Sequence, residues 1–454
     1  MKRLLANNKK SRKTEGKVMF KKTRLLLAIS LTFIMSFASV QSVLAAGEPV
    51  TGSEAKPAEA AITKILKLPI GTDIPAATFK FVAAPVKVDG VDYNSSNMPQ
   101  IGTGGIITIQ YTGNELNDVN GTTVQGITAV PKESGNIFGN VPWPHAGEYV
   151  YVITEVENTN TVIDADQSQD LKYNKTTKYT VTVFVRESKA TPGTYYVFAY
   201  GAEITVKDND DQEEGSKVDA TPKDPVVTGG YSNMIFTNTY VKTNGGTDPK
   251  TNDKLFISKK VDGEFASTTV YFDYELTVTA PSLVSGAPVY KAYVVADIDN
   301  VATVVTSAAN GDIGGSDDYG SYINFVSGTA KSFRLKDGQK LVFVSTPVGA
   351  NYKVSESAAN AYKPSVTAVY NGKELFTEVG KLNFGLAIPS EANPDPLYVG
   401  ETNTGAKFVN TRDEVLPTGL NVNDLPFIGI ILLAMGALIA FVVVKSRKKK
   451  ECAQ

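Results

Sequence analysis

Four strand-like segments recur in the same order in the two halves of this chain, and that recurrence constrains its fold more than any other feature. The first half reads AITKIL, ATFKF, YVITE and IFTNTY; the second reads LFISKKV, YFDYE, YKVSE and KFVNT. Lys64 and Glu155 stand 91 residues apart in the first set, and Lys259 and Glu356 stand 97 apart in the second. A duplicated domain is the simplest account. Because alternate residues of a strand face the same side, each segment can be sorted into faces. Lys64 falls with Ile62 and Leu66, and Lys259 with Leu255, Ile257 and Val261. Glu155 falls with Tyr149, Tyr151 and Ile153, and Glu356 with Tyr352 and Val354. Asn238 shares a face with Met234, Phe236 and Tyr240, and Asn410 with Ala406 and Phe408. Each repeat is therefore expected to bury one lysine, one glutamate and one asparagine, while Lys67 and Lys260 face outward.

An isolated buried charge is costly, so such a set must be paired, neutralised or chemically converted. Desolvation lowers the pKa of a lysine and raises that of a glutamate, which allows a neutral amine and a protonated carboxyl to coexist. The amine can then attack the side-chain amide carbon of asparagine while the carboxyl polarises its oxygen and shuttles protons. Ammonia leaves, and a Lys–Asn amide replaces the costly groups.

Most of the remaining sequence has the strand period. GEYVYVITEV, KYTVTVFVRE, TYYVFAYGAEITV and TVYFDYELTVTA are separated by Gly, Asn, Asp, Ser and Pro clusters, and no long amphipathic helix interrupts them. The expectation is an all-β chain of two antiparallel sandwiches, spanning 60–242 and 254–414, with a polar linker at 243–253 and a disordered lead at 46–59. Residues 83–140 carry the weakest pattern and are expected to form long loops with short strands.

The two ends lie outside these domains. Residues 1–45 read as a cleaved signal peptide: basic residues ending in Lys21, Lys22 and Arg24, an apolar stretch from Leu25 to Val40, and cleavage near Ala45, with Met19 an alternative start. At the other end, Leu416-Pro417-Thr418-Gly419, within 415–419, precedes an apolar run over 425–444 and a basic tail over 445–454. Twenty helical residues at about 1.5 Å each span roughly 30 Å, the thickness of a bilayer core, and the basic tail stays cytoplasmic. The apolar run alone fits a plain anchor equally well; the Pro-Thr-Gly outside it resembles the sorting signal cut by Gram-positive sortases. Removing both ends leaves 30 basic against 44 acidic residues, a net charge of −14, which argues against nucleic acid as a partner. The sole cysteine, Cys452, lies in the tail, so the exported portion has no disulfide to stabilise it.

On the segments quoted, together with LKDGQ, PVGANYKVSE and FVNTRDEVLPTG, the chain resembles the major pilin subunits of streptococcal sortase-assembled pili. These are of the FctA or T-antigen type, built from Ig-like domains of the CnaB kind. The resemblance covers most of the mature chain and implies an isopeptide bond from Lys64 to Asn238 assisted by Glu155, and another from Lys259 to Asn410 assisted by Glu356. It also implies that a sortase cuts between Thr418 and Gly419 and passes Thr418 to a lysine of the next subunit. The shifted proline, next to Thr418 rather than one residue earlier, suggests a dedicated pilus sortase. Lys217 and Lys223 are the two acceptor candidates.

The expected product is a cell-surface pilus backbone whose precursor spans the membrane once. Its partners would be the sortase, further copies of itself, minor pilins and cell-wall peptidoglycan. The rival is a wall-anchored adhesin that does not polymerise. His145 is the only histidine and stands near the only tryptophan, Trp143. Conventional hydrolase or zinc chemistry has no residues to use, so no enzyme activity beyond autocatalytic bond formation, no cofactor and no metal are expected. The acidic run KDNDDQEE (207–214) lacks the spacing of a calcium loop and reads as solvated.

Overall fold

The computed structural model describes residues 49–94, 98–115, 122–124, 126–165, 168–207, 213–223, 230–251, 254–413 and 425–451. Strands dominate, and the one long helix described, Leu425–Glu451, contains a 19-residue stretch, Phe427–Lys445, long and apolar enough to cross a membrane. The signal-peptide reading, Leu416 to Gly419, and Cys452 fall outside the described residues.

Two compact units divide the chain, the first made chiefly of residues up to Thr243 and the second chiefly of those from Asn244 onward. Each is a β-sandwich. In the first, one sheet runs antiparallel through Ala77–Val88, Gly147–Val156, Lys178–Glu187 and Tyr195–Val206. The opposing sheet places Thr63–Pro69 between Ile127–Glu133 and Ile235–Asn244. Phe79, Phe81, Tyr149, Tyr151, Ile153, Val181, Leu66 and Phe236 form the shared interior. Alternation explains why: Gly147–Val156 buries Tyr149, Tyr151, Ile153 and Glu155 and turns the residues between them away.

The second unit repeats the plan. Leu255–Asp262 lies between Gln339–Phe343 and Thr404–Thr411, while Phe272–Thr279 lies between Lys331–Leu335 and Asn351–Glu356 on the facing sheet. Val289–Ile298 and Gly320–Val326 widen the first of these sheets beyond Gln339–Phe343.

Three features differ from the sequence reading. The first and last strands of each unit run parallel, not antiparallel: Thr63 to Lys67 pair with Ile235 to Thr239, and Leu255 to Asp262 with Thr404 to Thr411. The strand period reports faces and carries no information on direction, so this pairing is invisible to it. The lead read as disordered is ordered over 49–59. Val50 and Thr51 pair with Tyr200 and Ala199, and the Ala58 N–H donates to the Val197 carbonyl at 2.9 Å. The strand Ile235–Asn244 also runs into the segment read as a linker.

Candidate functional site

In each unit the lysine stands on the first strand, the asparagine on the last, and the glutamate on the facing sheet. Their register is the same twice. Lys64 pairs with Phe236, two residues before Asn238; Lys259 pairs with Phe408, two residues before Asn410. An offset of two keeps both side chains on one face, so each lysine and asparagine enter the same interior side by side. The glutamates meet them from across the core, opposite Phe81 and Tyr274 on the neighbouring strands.

The side chains converge. Lys64 Nζ donates to Glu155 Oε2 at 2.8 Å, and Asn238 Nδ2 donates to Glu155 Oε1 at 2.7 Å. Lys259 Nζ and Asn410 Nδ2 both donate to a single oxygen, Glu356 Oε1, each at 2.7 Å. Both Lys–Glu pairs are wholly shielded from solvent. Aromatic rings close the walls: Lys64 Nζ lies 4.8 Å from the Phe79 ring centre, and Lys259 Nζ lies 4.0 Å from that of Phe272.

Burial governs the electrostatics here. Desolvation raises the carboxyl of Glu155 above the ordinary range and outweighs Lys64, which pulls it down; Glu356 is raised in the same way against Lys259. Burial lowers the Lys259 ammonium to about 8 in spite of Glu356. In the second unit acid and base are thus both pushed toward their neutral forms, which makes the amine a nucleophile and the carboxyl a proton donor. An amine, an amide and a carboxyl at hydrogen-bond contact, in a dry apolar pocket, can condense without a cofactor.

Sequence reasoning did not find three elements of these sites. The Asn174 backbone N–H donates to Asn238 Oδ1 at 2.7 Å. Phe79 and Phe272 form the wall beside each amine. Tyr274 occupies the position held by Phe81 in the first unit, and burial, with Glu356 second, raises its hydroxyl. The two aromatic walls were legible in ATFKF and YFDYE, since they alternate with the strand; a backbone donor in a turn leaves no signature in side-chain types.

Of the acceptor candidates, Lys217 is exposed on the two-residue strand Lys217–Val218, which pairs with Glu203 and Ala202. Lys223 is four-fifths covered, with side-chain exposure of 19%, and its Nζ stands 3.9 Å from Asp219 Oδ2. Trp143 is buried in the first unit, its ring centre 5.0 Å from that of Tyr149.

Residues 253–412 match a family described as a domain of unknown function, DUF7601. No curated protein matches the chain. Among solved structures, the chain is similar to the major pilin from Streptococcus pyogenes, with 16% identity and a TM-score of 0.30, covering 79% of this chain and 100% of that one. It is also similar to the T-13 major pilin of the same organism, with 18% identity and a TM-score of 0.27 over 80% and 99%. The pilus-presented adhesin Spy0125 (Cpa) is similar at 14% identity and a TM-score of 0.20 over 49% and 38%.

Proposed function

We propose that this chain is the backbone subunit of a covalent surface pilus. In this reading each unit carries a Lys–Asn isopeptide bond, and a sortase joins Thr418 of one subunit to a lysine of the next. The observation that carries it is the twofold presence of one buried trio, in one register, bridging first and last strands of a chain with no cysteine outside its tail. The bond would close loops of 174 residues, from 64 to 238, and 151 residues, from 259 to 410. It would thus supply the covalent brace that disulfides give other exported proteins. Leu416 to Gly419 followed by the apolar helix supports sortase processing, and head-to-tail transfer to a lysine yields an open filament. Exposure favours Lys217 over Lys223 as the acceptor.

Wall extracts from cells with and without the accompanying sortase test this. A ladder of subunit multiples that requires the sortase, and collapses when Lys217 is replaced by alanine, is the expected result. A single band would replace the pilus reading with the wall-anchored adhesin. Loss of the ladder with Lys223→Ala alone would move the acceptor to that residue.

A further inference from the structure

The two trios are not chemically equivalent. In the first unit the asparagine oxygen has a donor, the Asn174 N–H at 2.7 Å. In the second, Asn410 Oδ1 is buried and meets no hydrogen-bond partner among the described residues, while the Tyr274 hydroxyl faces Glu356. The difference fixes more than one bond. A backbone N–H can be received only by the oxygen of the Asn238 amide, so its nitrogen must face Glu155, where the structure places it at 2.7 Å. In the second unit nothing comparable decides which way the Asn410 amide faces.

We propose that the Asn174 N–H is an oxyanion donor for bond formation in the first unit, and that the Lys64–Asn238 bond therefore forms ahead of the Lys259–Asn410 bond. This rests on the isopeptide reading above. Lys64 Nζ attacks Cγ of Asn238, and the carbonyl electron pair moves onto Oδ1, where the N–H meets it. Glu155 Oε2 takes a proton from Nζ while the carboxyl proton passes from Oε1 to Nδ2. The Cγ–Nδ2 bond breaks, ammonia departs, and the carboxyl ends protonated as it began. The negative charge develops on Oδ1, so a fixed dipole aimed at that atom acts where it counts most. The same N–H also faces Glu155 and favours its charged form, as the smallest of the influences on that carboxyl. The Asn174 side chain is occupied elsewhere: its Oδ1 receives the Thr177 N–H at 3.0 Å.

The test is a pulse–chase of the full chain, with the cross-linked peptides of each unit quantified by mass spectrometry. In the unaltered protein the Lys64–Asn238 peptide should accumulate at least about tenfold faster than the Lys259–Asn410 peptide, within the range one oxyanion donor supplies. Equal rates, or a faster second unit, overturn the proposal without any variant. Asn174→Pro removes the N–H and should slow the first bond about 100-fold while leaving the second unchanged. Asn174→Ala keeps the N–H, loses only the turn contact, and should stay within about twofold of the unaltered rate. Emission from Trp143, the only tryptophan and buried in the first unit, reports whether the proline variant has folded there. A folded Asn174→Pro protein bonding at the normal rate overturns the role of the donor. If neither peptide forms in the unaltered chain, the isopeptide reading itself has failed, a result distinct from both.

Discussion

Replacing Asn238 with alanine removes the electrophile of the first unit and leaves Lys64, Glu155 and the strand register in place. On the chain-entropy formula for cross-links, opening a 174-residue loop costs about 5 kcal/mol at 25 °C. One further group loses its partner, the Asn174 N–H, at about 1–3 kcal/mol when left buried and unsatisfied. The loop term dominates. For a unit of this size about 1 kcal/mol shifts the melting temperature by roughly 2–4 °C, so the loop term alone predicts a fall of roughly 10–20 °C. Calorimetry should show that fall in one transition, with the second unit melting as before. Intact mass supplies the independent check: the processed protein should lie below its sequence mass by two ammonia, and Asn238→Ala below its own by one. A processed protein at full sequence mass refutes the bond, and an unshifted melting temperature refutes the claim that the bond holds the unit together.

The second unit should show a falling rate on the alkaline side. The reactive arrangement, a neutral Lys259 beside a protonated Glu356, holds one proton between them, as does the ion pair, so the rate should stay level while that count lasts. Above about 8, where the buried ammonium gives up the shared proton, the rate of cross-linked peptide formation should fall about tenfold per pH unit; a rate that climbs through pH 9 contradicts the assignment of Glu356 as acid. Gly405, with φ of 156°, pairs with Phe256 across the second unit's first and last strands, and a Cβ there would sit 1.8 Å from the Phe256 carbonyl oxygen. Gly405→Ala should destabilise the second unit by at least about 1–3 kcal/mol and lower its bonded fraction, leaving Trp143 emission unchanged; a normal bonded fraction would show that the strand spacing tolerates the methyl.

Which residues enter the core was legible because strand alternation is a strict rule. Ile62, Leu66, Tyr149, Ile153, Phe236, Leu255, Tyr352 and Phe408 all lie inside, as do the three polar residues sorted with them in each half. The duplicated order was legible for the same reason. Strand direction was not, because parallel and antiparallel pairing use the same alternation. Nor was the order of residues 49–59, whose composition of Gly, Pro, Glu and Ala is that of a linker; they are held by backbone pairing to 197–200, a partner nearly 150 residues away in sequence. The Asn174 donor escaped because its contribution is a peptide N–H, which every residue but proline possesses.

The parallel pairing sharpens what the proposed bonds would do. In a filament joined at Lys217 and Thr418, force enters the second unit along its first strand and leaves along its last. Parallel neighbours loaded in this way are sheared along their whole ladder, Leu255 to Asp262 against Thr404 to Thr411. Hydrogen bonds in such a ladder share the load, but they yield once the sandwich opens. A covalent link from Lys259 to Asn410 takes the tension at the fifth residue of that ladder and returns it at the seventh, so the residues between them, with the aromatic core they build, carry none. The lysine must sit on the entering strand and the asparagine on the leaving one for this to work, a condition the second unit meets; in the first, force entering at Lys217 reaches Asn238 along the backbone, and the bond there would brace the fold beside the load path. A buried trio placed only for packing has no need of those two strands, and in the second unit that placement is the strongest mechanical argument that the trio serves tension along the chain.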